Sequence, residues 1–583
     1  MKHLRYLNKF FWKYRIRLFL GIIFIFISNV FALYPAEFVR EAFDTVLERK
    51  QLESKSVSNI LFKYAGLIAL FAILKGIFMF FMRQTIIVMS RKIEFDLKNE
   101  IYQQYQKLSF NFYKKNKTGD LMNRISEDVS RVRMYLGPAV MYGINITILF
   151  YLVISKMLSI NTTLTIYTLL PLPVLAILVY FVSVSINKKS ELVQKQLSTL
   201  TEIAQESFSA IKIIKSFNSQ KITSESFLKA CKEYTKRQLN LVRIEAFFYP
   251  TILTMIGIST ILIIYAGGIE SYNNKITTGN IAEFVIYVNM LAWPVASIGW
   301  VTSIIQRAAA SQERINSFLH FKEEIKNFSL DSKKINGSIV FENVCFTYEN
   351  TNIKALKNIS FVLNEGETLG IIGKTGSGKS TIAHLICRLY DIKKGNIKIS
   401  GADIKKLNLY NLRSSIGYVP QDGYLFSGTI RDNICFSNSE KNNSRTIESS
   451  KKAKLHSEIK KFKQGFDTLI GERGVKLSGG QKQRLSIARV FYKNPEIFIF
   501  DDCLSSVDAV KEKEIIKSLN KESDNKTTII ISHRIASIKH AKKIIYIDDG
   551  KIIEVGSHKA LMKNKGPYYR LERKQNKSIN DRQ

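Results

Sequence analysis

Six long apolar stretches fill most of the first half of the chain, whereas apolar runs in the second half are short. Each stretch has about 20 residues, the length of an α-helix that crosses the hydrocarbon core of a bilayer. Basic residues precede the first stretch, but no small-residue cleavage site follows it, so it is not interpreted as a signal peptide. The pattern predicts six membrane spans near residues 18–34, 60–81, 136–158, 164–184, 247–269 and 281–305.

Two polar segments between the spans are too long to be surface loops. Residues 83–133 and 188–243 are rich in helix-forming residues and are predicted to continue the membrane helices tens of ångströms into the cytosol before turning back. Breaker residues mark the first turn near 112–120, and an apolar stripe from Ile211 to Phe217 marks the second. The stripe fits a docking surface, although any amphipathic helix has such a stripe.

Short strand patterns alternate with helical stretches in the second half, which is typical of an α/β domain with a largely parallel sheet. The predicted organisation is a transmembrane domain at 1–320, a polar linker at 321–337 and an α/β domain at 338–575. Strands are expected at 339–344, 359–363, 416–419, 496–500, 527–532 and 544–547.

The formal net charge of +37 would indicate a nucleic-acid partner in a soluble protein. Here the lysines and arginines concentrate in the N-terminal tail and the two long polar segments, while short loops such as 37–53 are neutral or acidic. That distribution follows the positive-inside rule. It predicts no nucleic-acid partner, a cytoplasmic membrane location, and both termini and the α/β domain in the cytosol.

A glycine-rich turn joins a predicted strand to a predicted helix and fits the pattern GxxxxGKS. Glycines let the backbone bring N–H groups against phosphate oxygens, and a helix start adds a positive dipole end. Lysine would reach the terminal phosphates, and the serine hydroxyl would bind Mg²⁺. The expected nucleotide-binding residues are Gly373, Lys374, Thr375, Gly376, Ser377, Gly378, Lys379, Ser380 and Thr381, with Ser380 also a metal ligand.

A wholly apolar strand ends in Asp501 and Asp502, which places two carboxylates beside the glycine-rich turn. Asp501 suits the Mg²⁺ shell, and Asp502 suits the orientation or deprotonation of an attacking water. Gln421 is a candidate metal ligand and phosphate sensor. His533, at the end of another strand, would hold the attacking water, although a histidine at a strand end is often structural.

Tyr348 follows an alternating strand and is predicted to stack on an adenine ring, or alternatively to be a buried edge tyrosine. A second glycine-rich helix start follows about 100 residues after the first. It comprises Ser478, Gly479, Gly480 and Gln481, preceded by Leu477. The same dipole argument makes it an anion site. Two half-sites in one chain favour a dimer that holds ATP between its subunits.

The sequence LSGGQ at 477–481, with the GxxxxGKS turn and the strand ending in Asp501, resembles the ABC transporter family over essentially the whole chain. The resemblance implies a half-size ABC exporter. Its fold class is an all-α six-helix transmembrane domain with long cytoplasmic helical extensions, followed by an α/β ATPase domain with a helical subdomain. It also implies ATP and Mg²⁺ as ligands, contacts from Ser478, Gly479 and Gly480 to the partner chain's γ-phosphate, and coupling helices near 112–120 and 209–217.

One position departs from that family. Asp502 stands where glutamate usually follows the strand aspartate, and the shorter side chain retracts the carboxylate by about 1.5 Å. A misplacement of about 1 Å can cost on the order of a hundredfold in rate. Residues 502–508 resemble the degenerate member of heterodimeric exporters, which favours a heterodimer with a second half-transporter over a slow homodimer.

The transported molecule is predicted to be an amphiphile, such as a lipid or a hydrophobic drug. Lys75 lies inside the second span, where it would either face an anionic head group in a cavity or extend to the outer interface. A mixed polar and aromatic cavity is expected from Asn145, Asn289, Trp293, Pro294 and Trp300.

The function predicted from the sequence is ATP-driven export or flipping of such an amphiphile across the cytoplasmic membrane by a dimer. The alternative is a regulatory subunit that binds ATP with little hydrolysis. A soluble ATPase that acts on nucleic acid is contradicted by the six spans.

Overall fold

The structure, a computed structural model, describes residues 2–48, 54–327, 335–438, 440–471, 474, 477–504, 509–523 and 526–580. It consists of two compact units. The first comprises Met1–Gln106 and Thr118–Phe321, and the second comprises Lys107–Lys117 and Lys322–Gln583. The second unit thus includes a short segment, Lys107–Lys117, that lies within the predicted transmembrane domain at 1–320.

Helices make up nearly all of the described chain as far as Leu319. A 3₁₀-helix at Lys2–Leu7 precedes them, and π-helical turns occur at Arg124–Asp128 and Tyr135–Ala139. The α-helices are α1 (Asn8–Lys13), α2 (Arg15–Glu48), α3 (Ser54–Lys107), α4 (Phe110–Lys115), α5 (Thr118–Asn123), α6 (Val129–Met134), α7 (Val140–Ile160), α8 (Thr162–Leu169), α9 (Pro171–Ser209), α10 (Ile211–Ser216), α11 (Gln220–Tyr272) and α12 (Thr278–Leu319).

Six helical segments among the described residues are long and apolar enough to cross a membrane, as the hydrophobic pattern predicted. They are Arg15–Leu47, Ser58–Lys107, Thr118–Ile160, Thr162–Ser209, Gln220–Tyr272 and Thr278–Leu319. Each is much longer than the roughly 20 residues that a bilayer requires. The membrane helices therefore continue beyond the hydrocarbon core, as expected for residues 83–133 and 188–243.

Helix α12 is the central helix of the first unit. Half of its most apolar window is buried, against 6% of the corresponding window in α3. Phe284, Val288 and Leu291 are completely buried on it and pack in one cluster with α7, α9 and α11. Because α3 buries so little within its own chain, its apolar side chains remain for lipid, ligand or a second chain.

The second unit contains two sheets. The larger sheet has the order β10-β9-β3-β8-β7-β6, parallel except for β10, and the smaller sheet is antiparallel with the order β2-β1-β4-β5. The strands are β1 (Ile339–Tyr348), β2 (Ile353–Leu363), β3 (Thr368–Gly373), β4 (Lys394–Ile399), β5 (Ala402–Asp403), β6 (Ile416–Val419), β7 (Ile497–Asp501), β8 (Thr527–Ile531), β9 (Lys543–Asp548) and β10 (Lys551–Gly556). The parallel sheet is buried on both faces, so β7 and β8 are wholly buried.

Helices connect these strands, as parallel pairing requires. They are α13 (Lys379–Ile386), α14 (Leu409–Ser414), α15 (Ile430–Ile434), α16 (Asn443–Lys452), α17 (His456–Ile459), α18 (Gly479–Lys493), α19 (Ala509–Ser523), α20 (Ile535–Ile538), α21 (His558–Asn564) and α22 (Pro567–Asn580), with a 3₁₀-helix at Gly465–Asp467. The segment α15 to α18 lies between β6 and β7 and forms the predicted helical subdomain. Of the predicted linker, residues 328–334 lie outside the described part.

Helix α4 packs within the second unit although it follows the second membrane span. Ser109 Oγ and Asn111 Nδ2 donate hydrogen bonds to Glu324 at 2.6 and 3.1 Å. The ring of Phe110 lies 6.0 Å from that of Tyr390. The predicted turn near 112–120 therefore begins on the same unit as the glycine-rich loop.

A buried carboxylate lies in the first unit, near the start of α12. Glu283 is completely buried and accepts hydrogen bonds from Tyr287 Oη at 2.7 Å and Asn280 Nδ2 at 3.3 Å. Arg40 of α2 lies 3.5 Å away. Because a buried carboxylate without partners is costly, these groups tie α2 to α12.

Replacement of Tyr287 by phenylalanine is expected to destabilise the first unit. The substitution removes a hydrogen bond to a buried charged group, which is worth about 1.5–3 kcal/mol. Thermal unfolding of the purified protein in detergent would measure the loss. Tyr272→Phe is the matched control because Tyr272 is 88% exposed. Equal melting temperatures for both variants would contradict the expectation.

Candidate functional site

The glycine-rich loop lies where β3 ends and α13 begins, at the carboxyl edge of the parallel sheet. Gly376 and Gly378 have φ angles of +77° and +98°, in a region that L side chains rarely adopt. A Cβ at Gly378 would lie 2.3 Å from the carbonyl oxygen of Ala355, whereas space at Gly376 is open. At these two glycines the loop therefore exposes backbone without side chains, the arrangement that the GxxxxGKS pattern predicts.

Two side chains of the loop are directed inward. Lys379 is buried, and its Nζ donates to the carbonyl oxygens of Gly373 and Lys374 at 3.0 and 2.6 Å. Burial lowers the pKa of Lys379, against the opposing effect of the Asp502 and Asp501 carboxylates. Ser377 Oγ is buried and finds no hydrogen-bond partner among the described residues. Both groups would gain from a phosphate in the loop.

Ser380 and Asp501 meet across the loop, although they are far apart in sequence. Ser380 Oγ donates to Asp501 Oδ1 at 2.9 Å, and Tyr418 Oη lies 3.3 Å from the other carboxylate oxygen. Burial raises the pKa of Asp501, while the hydrogen bonds from Ser380 and Tyr418 oppose that shift. A divalent cation here would stabilise the ionised carboxylate.

The strand order brings the remaining candidates to the same edge. Strands β3, β8, β7 and β6 are neighbours, so the loop, His533, the two aspartates and Gln421 all follow adjacent parallel strands. Gln421 is exposed, and none of the hydrogen bonds described for the structure involves it. The structure therefore leaves its side chain free of the contacts that hold Ser380 and Asp501 together.

Asp502 occupies a constrained backbone position. Its φ is +45°, in the left-handed region that aspartate tolerates better than most residues. Its N–H donates to the Ile531 carbonyl at 2.8 Å, and its Oδ1 accepts from the His533 N–H at 3.4 Å. The short carboxylate thus lies against the backbone at His533. Burial lowers the pKa of His533, and the nearby Lys379 ammonium lowers it further, while Asp502 acts in the opposite direction.

Tyr348 is held beside the loop by a polar and aromatic cluster. Its hydroxyl lies 3.0 Å from Thr381 Oγ1, and its ring meets that of Tyr390 edge to face at 5.5 Å. Lys114 of α4 lies 5.0 Å from the centre of the Tyr348 ring. The aromatic side chain predicted to stack on adenine therefore also contacts α4.

The second glycine-rich helix start is exposed. Ser478 caps α18: its Oγ accepts from the Gln481 N–H at 3.3 Å, and Gln481 Oε1 accepts from the Ser478 N–H at 2.9 Å. Ser478 and Gly479 are exposed, and Gly480 is partly so. The helix dipole and free N–H groups at this end face outward, ready for an anion.

The other predicted residues lie at the rim of the site. Lys374 and Thr375 are exposed, and Lys374 forms an ion pair with Asp548 at 2.8 Å. Residues 505–508, part of the degenerate pattern, lie outside the described residues.

Glu458 is a site residue that the motifs did not indicate. It accepts hydrogen bonds from Gln481, Arg484 and Lys511, at distances from 2.6 to 3.0 Å. The hydrogen bond from Arg484 contributes most, and together the three donors lower the pKa of Glu458 to about 2. Glu458 therefore connects the first turn of α18 to α17 within the helical subdomain. Its distance in sequence from LSGGQ hid this role.

Gln575 of the C-terminal helix α22 is a second residue that the sequence did not indicate. Its Nε2 donates to the His533 carbonyl at 2.7 Å, and its Oε1 accepts from the Ile535 N–H at 3.0 Å. The side chain thereby brackets the backbone that carries His533. We expect Gln575 to act as a positioning residue, because these two hydrogen bonds connect it to the His533 segment.

The residues present fit ATP and Mg²⁺. The open cradle at Gly376, the unpartnered Ser377 hydroxyl and the inward Lys379 suit phosphate oxygens. Ser380 and Asp501 suit Mg²⁺, which prefers one or two protein oxygens together with phosphate. No group of three or more His, Cys, Asp or Glu side chains in the described ranges could hold a metal ion by itself. The phosphates would complete such a metal shell.

Comparison with known proteins matches both halves of the chain. Residues 18–295 match the ABC transporter transmembrane region, and residues 356–505 match the ABC transporter family model. An uncharacterized ABC transporter ATP-binding protein, YknU of Bacillus subtilis, is 34% identical over 100% of this chain and 99% of its own length. The chain belongs to the ABC transporter family.

Further similar proteins indicate the kind of transporter. The probable multidrug resistance ABC transporter ATP-binding/permease protein YheI of B. subtilis is 32% identical over 97% of this chain and 96% of its own. The multidrug resistance-like ATP-binding protein MdlA of Escherichia coli is 34% identical over 83% and 82%. The structure of a bacterial Atm1-family ABC exporter with ATP bound matches with a TM-score of 0.80, at 24% identity, over 96% of this chain and 98% of that one.

The expected family and fold class are confirmed. The chain is a half-size ABC exporter, a multi-pass membrane protein with a helical transmembrane domain followed by an ABC ATPase domain. The ATPase domain implies that the transporter binds and hydrolyses ATP.

Replacement of Gln575 by alanine is expected to lower the maximal ATPase rate about threefold to tenfold, since two hydrogen bonds to the His533 segment are lost. The affinity for ATP should stay within about twofold, because the glycine-rich loop is untouched. Steady-state kinetics with a separate nucleotide-binding titration would separate the two. Asn576→Ala is the control, since Asn576 is exposed and bonds to Glu572 of its own helix. A purely structural role for Gln575 would instead reduce rate and affinity together.

Proposed function

We propose that this transporter exports or flips an amphiphile across the cytoplasmic membrane as one half of a dimer, driven by ATP. The observation that carries the proposal is the presence of two separate glycine-rich helix starts in the ATPase unit, the Gly373–Ser380 loop and the exposed start of α18, each suited to an anion. The second site faces outward, and a second chain is the natural source of the phosphate that it would bind.

Each chain would contribute complementary halves of an ATP site. The loop from Gly373 to Thr381 would hold the phosphates of one nucleotide, with Tyr348 against the adenine. Ser478, Gly479 and Gly480 would meet the γ-phosphate held by the partner. ATP binding then favours the closed dimer because only that state contacts the γ-phosphate from both sides.

The candidate catalytic groups would act at the terminal phosphate. Lys379 would balance its charge, Asp502 would orient or deprotonate the attacking water, and His533 would hold that water in line. Ser380, Asp501 and Gln421 would hold Mg²⁺, which when bound would polarise the phosphate oxygens. The lowered pKa of His533 favours the neutral imidazole, which can accept a proton or a hydrogen bond.

The predicted coupling helix near 209–217, which contains α10, supports a dimeric transporter. Phe208, Ile213 and Phe217 are 77%, 62% and 78% exposed around α10. Exposed apolar side chains in a cluster mark an interaction surface. The ATPase unit has a cavity of about 760 Å³ lined partly by Tyr418, Phe436 and Arg489. We propose that α10 docks at this cavity on the partner chain.

The proposed orientation in the membrane is supported by α4. This helix lies within the basic segment 83–133 and belongs to the same unit as the ATPase strands, which supports placing that segment and the ATPase on one side of the membrane. The positive-inside rule assigns that side, and both termini, to the cytosol. Export is the direction implied by the family.

The Asp502 site is proposed to be slow, with a glutamate-bearing partner supplying the faster site of a heterodimer. The support is geometric, because the short carboxylate accepts a hydrogen bond from the His533 N–H. The intact LSGGQ of this chain would complete the partner's site. Co-purification from native membranes would test the pairing: a second, glutamate-bearing chain supports the heterodimer, and this chain alone supports the homodimer.

The alternative from the sequence, a regulatory subunit that binds ATP with little or no hydrolysis of its own, is not favoured, because the chain matches the ABC transporter ATPase model and its relatives are multidrug-type transporters. Single-turnover hydrolysis in the isolated site separates the two. Product formed within minutes supports a working, slow transporter site. A site that keeps its ATP intact for hours supports regulation.

Lys379→Ala is expected to lower substrate-stimulated ATP hydrolysis in its own site by about a hundredfold or more. The substitution removes the ammonium that balances the terminal phosphate, and the loss of one such preorganised group costs a factor of this order. Site-resolved ATPase measurement in reconstituted vesicles would show it. Lys563→Ala, at an exposed lysine of α21, should leave the rate unchanged.

Asp502→Glu is expected to raise turnover on the order of tenfold, because the added methylene advances the carboxylate by about 1.5 Å toward the attacking water. Asp501→Glu is the informative comparison: the same chemical change one residue earlier displaces a proposed metal ligand and should lower the rate. An unchanged rate for Asp502→Glu would remove the argument for a degenerate site.

A further inference from the structure

A cavity of about 350 Å³ lies within the transmembrane unit, between α2, α3, α7 and α12. Two of the residues predicted for a mixed cavity, Asn145 and Trp293, line it. Of the others, Trp300 packs against Tyr142 at 5.6 Å, Asn289 donates to the Val285 carbonyl at 2.8 Å, and Pro294 is buried in α12. The cavity has the volume of a small-molecule site.

Positive charge lines this cavity without a balancing acid. Lys75 and Arg83 both contribute to it, and the lining contains no aspartate or glutamate. Among the described residues, neither cation has an ion pair or a side-chain hydrogen bond. An ammonium within a membrane span is costly, and it marks a functional position when no partner on the chain neutralises it.

Extension of Lys75 to the outer interface does not explain its position. At 1.5 Å per residue, Lys75 lies about 22 Å from the start of the predicted span at Ile60 but only about 9 Å from its end at Phe81. That end continues along α3 to the ATPase-linked segment. Arg83 already lies at this boundary, whereas Lys75 lies about 12 Å deeper, farther than a lysine side chain reaches.

The other lining residues suit an apolar body of variable shape. Methionine contributes Met79, Met82, Met141 and Met290, and Trp293 with Tyr142 adds aromatic surface. Methionine side chains adapt to irregular ligands. Asn29 donates to Asn145 at 3.0 Å, so these two amides partly satisfy each other.

We propose that this cavity selects amphiphiles with an anionic head group, such as a phosphate or a carboxylate, which Lys75 neutralises within the membrane. This inference rests on the proposed export function and specifies its substrate class. A cationic amphiphile would meet two like charges, and a neutral one would leave the Lys75 ammonium unpaired. Arg83 would attract the anionic head group at the membrane boundary, and Lys75 would hold it at depth.

Trp293 provides a direct probe of binding. The chain has three tryptophans, so Trp12→Phe with Trp300→Phe leaves Trp293 as the single reporter in the cavity. The nucleotide-free protein, in phosphatidylcholine nanodiscs, is titrated with dodecyl phosphate, dodecyl maltoside or dodecyltrimethylammonium. Dodecyl phosphate should change the emission at the lowest concentration. Equal responses to all three head groups would overturn the proposal.

Substitutions then assign the charge preference to Lys75. Lys75→Gln should raise the half-saturating dodecyl phosphate concentration about tenfold, while Lys75→Arg should stay within about threefold. Lys63→Gln is the matched control, since Lys63 is an exposed lysine of the same helix outside the cavity lining. An unchanged titration for Lys75→Gln would also overturn the proposal. If that variant fails to fold, the head-group comparison on the parent protein still decides.

Two further arms separate the source and the function. In nanodiscs of phosphatidylglycerol, an anionic lipid of the bilayer competes with dodecyl phosphate. If the natural ligand is such a membrane lipid, the titration should shift to higher dodecyl phosphate concentration. If it is a water-soluble amphiphile, the titration should not shift, and both results are consistent with the proposal. ATPase stimulation is then measured. Selective binding of dodecyl phosphate without stimulation of the ATPase rate would contradict the proposed export function but would support the binding site. If all three head groups stimulate the ATPase rate and Lys75→Gln does not change this, the proposed site is contradicted and the export function is supported.

Discussion

The buried pairing of Asp501 with Ser380 is the contact on which the nucleotide site depends. A carboxylate at the end of a fully buried strand is unfavourable unless hydroxyl groups or a cation compensate it. Ser380 is in position only because the glycine-rich loop turns β3 sharply into α13, and Tyr418 because β6 pairs in register with β7. Loop geometry, strand order and sheet register therefore all converge on this one pair.

The same edge of the sheet is connected to elements far from it in sequence. Lys114 of α4 lies over Tyr348, and Tyr348 bonds to Thr381 on the helix that follows the loop. Gln575 brackets the His533 backbone from the C-terminal helix. A structural change at the nucleotide site would therefore affect contacts to α4, which follows the second membrane span, and to the C-terminal helix α22. These contacts are short and polar or aromatic, so displacements of an ångström alter them.

How much the sequence predicted follows from the range of each signal. The six spans, the glycine-rich loop and the LSGGQ helix start are encoded within about 20 residues each, and the structure has the helices and loop where they were expected. The affiliation of Lys107–Lys117 with the ATPase unit, the Glu458 anchor and the Gln575 bracket join residues separated by long stretches of chain. No local period encodes such contacts. The antiparallel sheet of β2, β1, β4 and β5 was likewise not predicted, because β4 begins with Lys394, Gly395 and Asn396 and β5 has only two residues.

The position of Asp502 shows why one methylene matters here. Its backbone is held at φ +45° by the Asp502 N–H bond to Ile531, so the side chain leaves from a fixed point. From that point the aspartate carboxylate accepts a hydrogen bond from the His533 N–H, whereas a glutamate carboxylate would lie about 1.5 Å farther along its side chain. The backbone cannot compensate, since Ile531 belongs to the buried strand β8. A rigid sheet edge therefore turns a small difference in side-chain length into a difference in where the carboxylate can act.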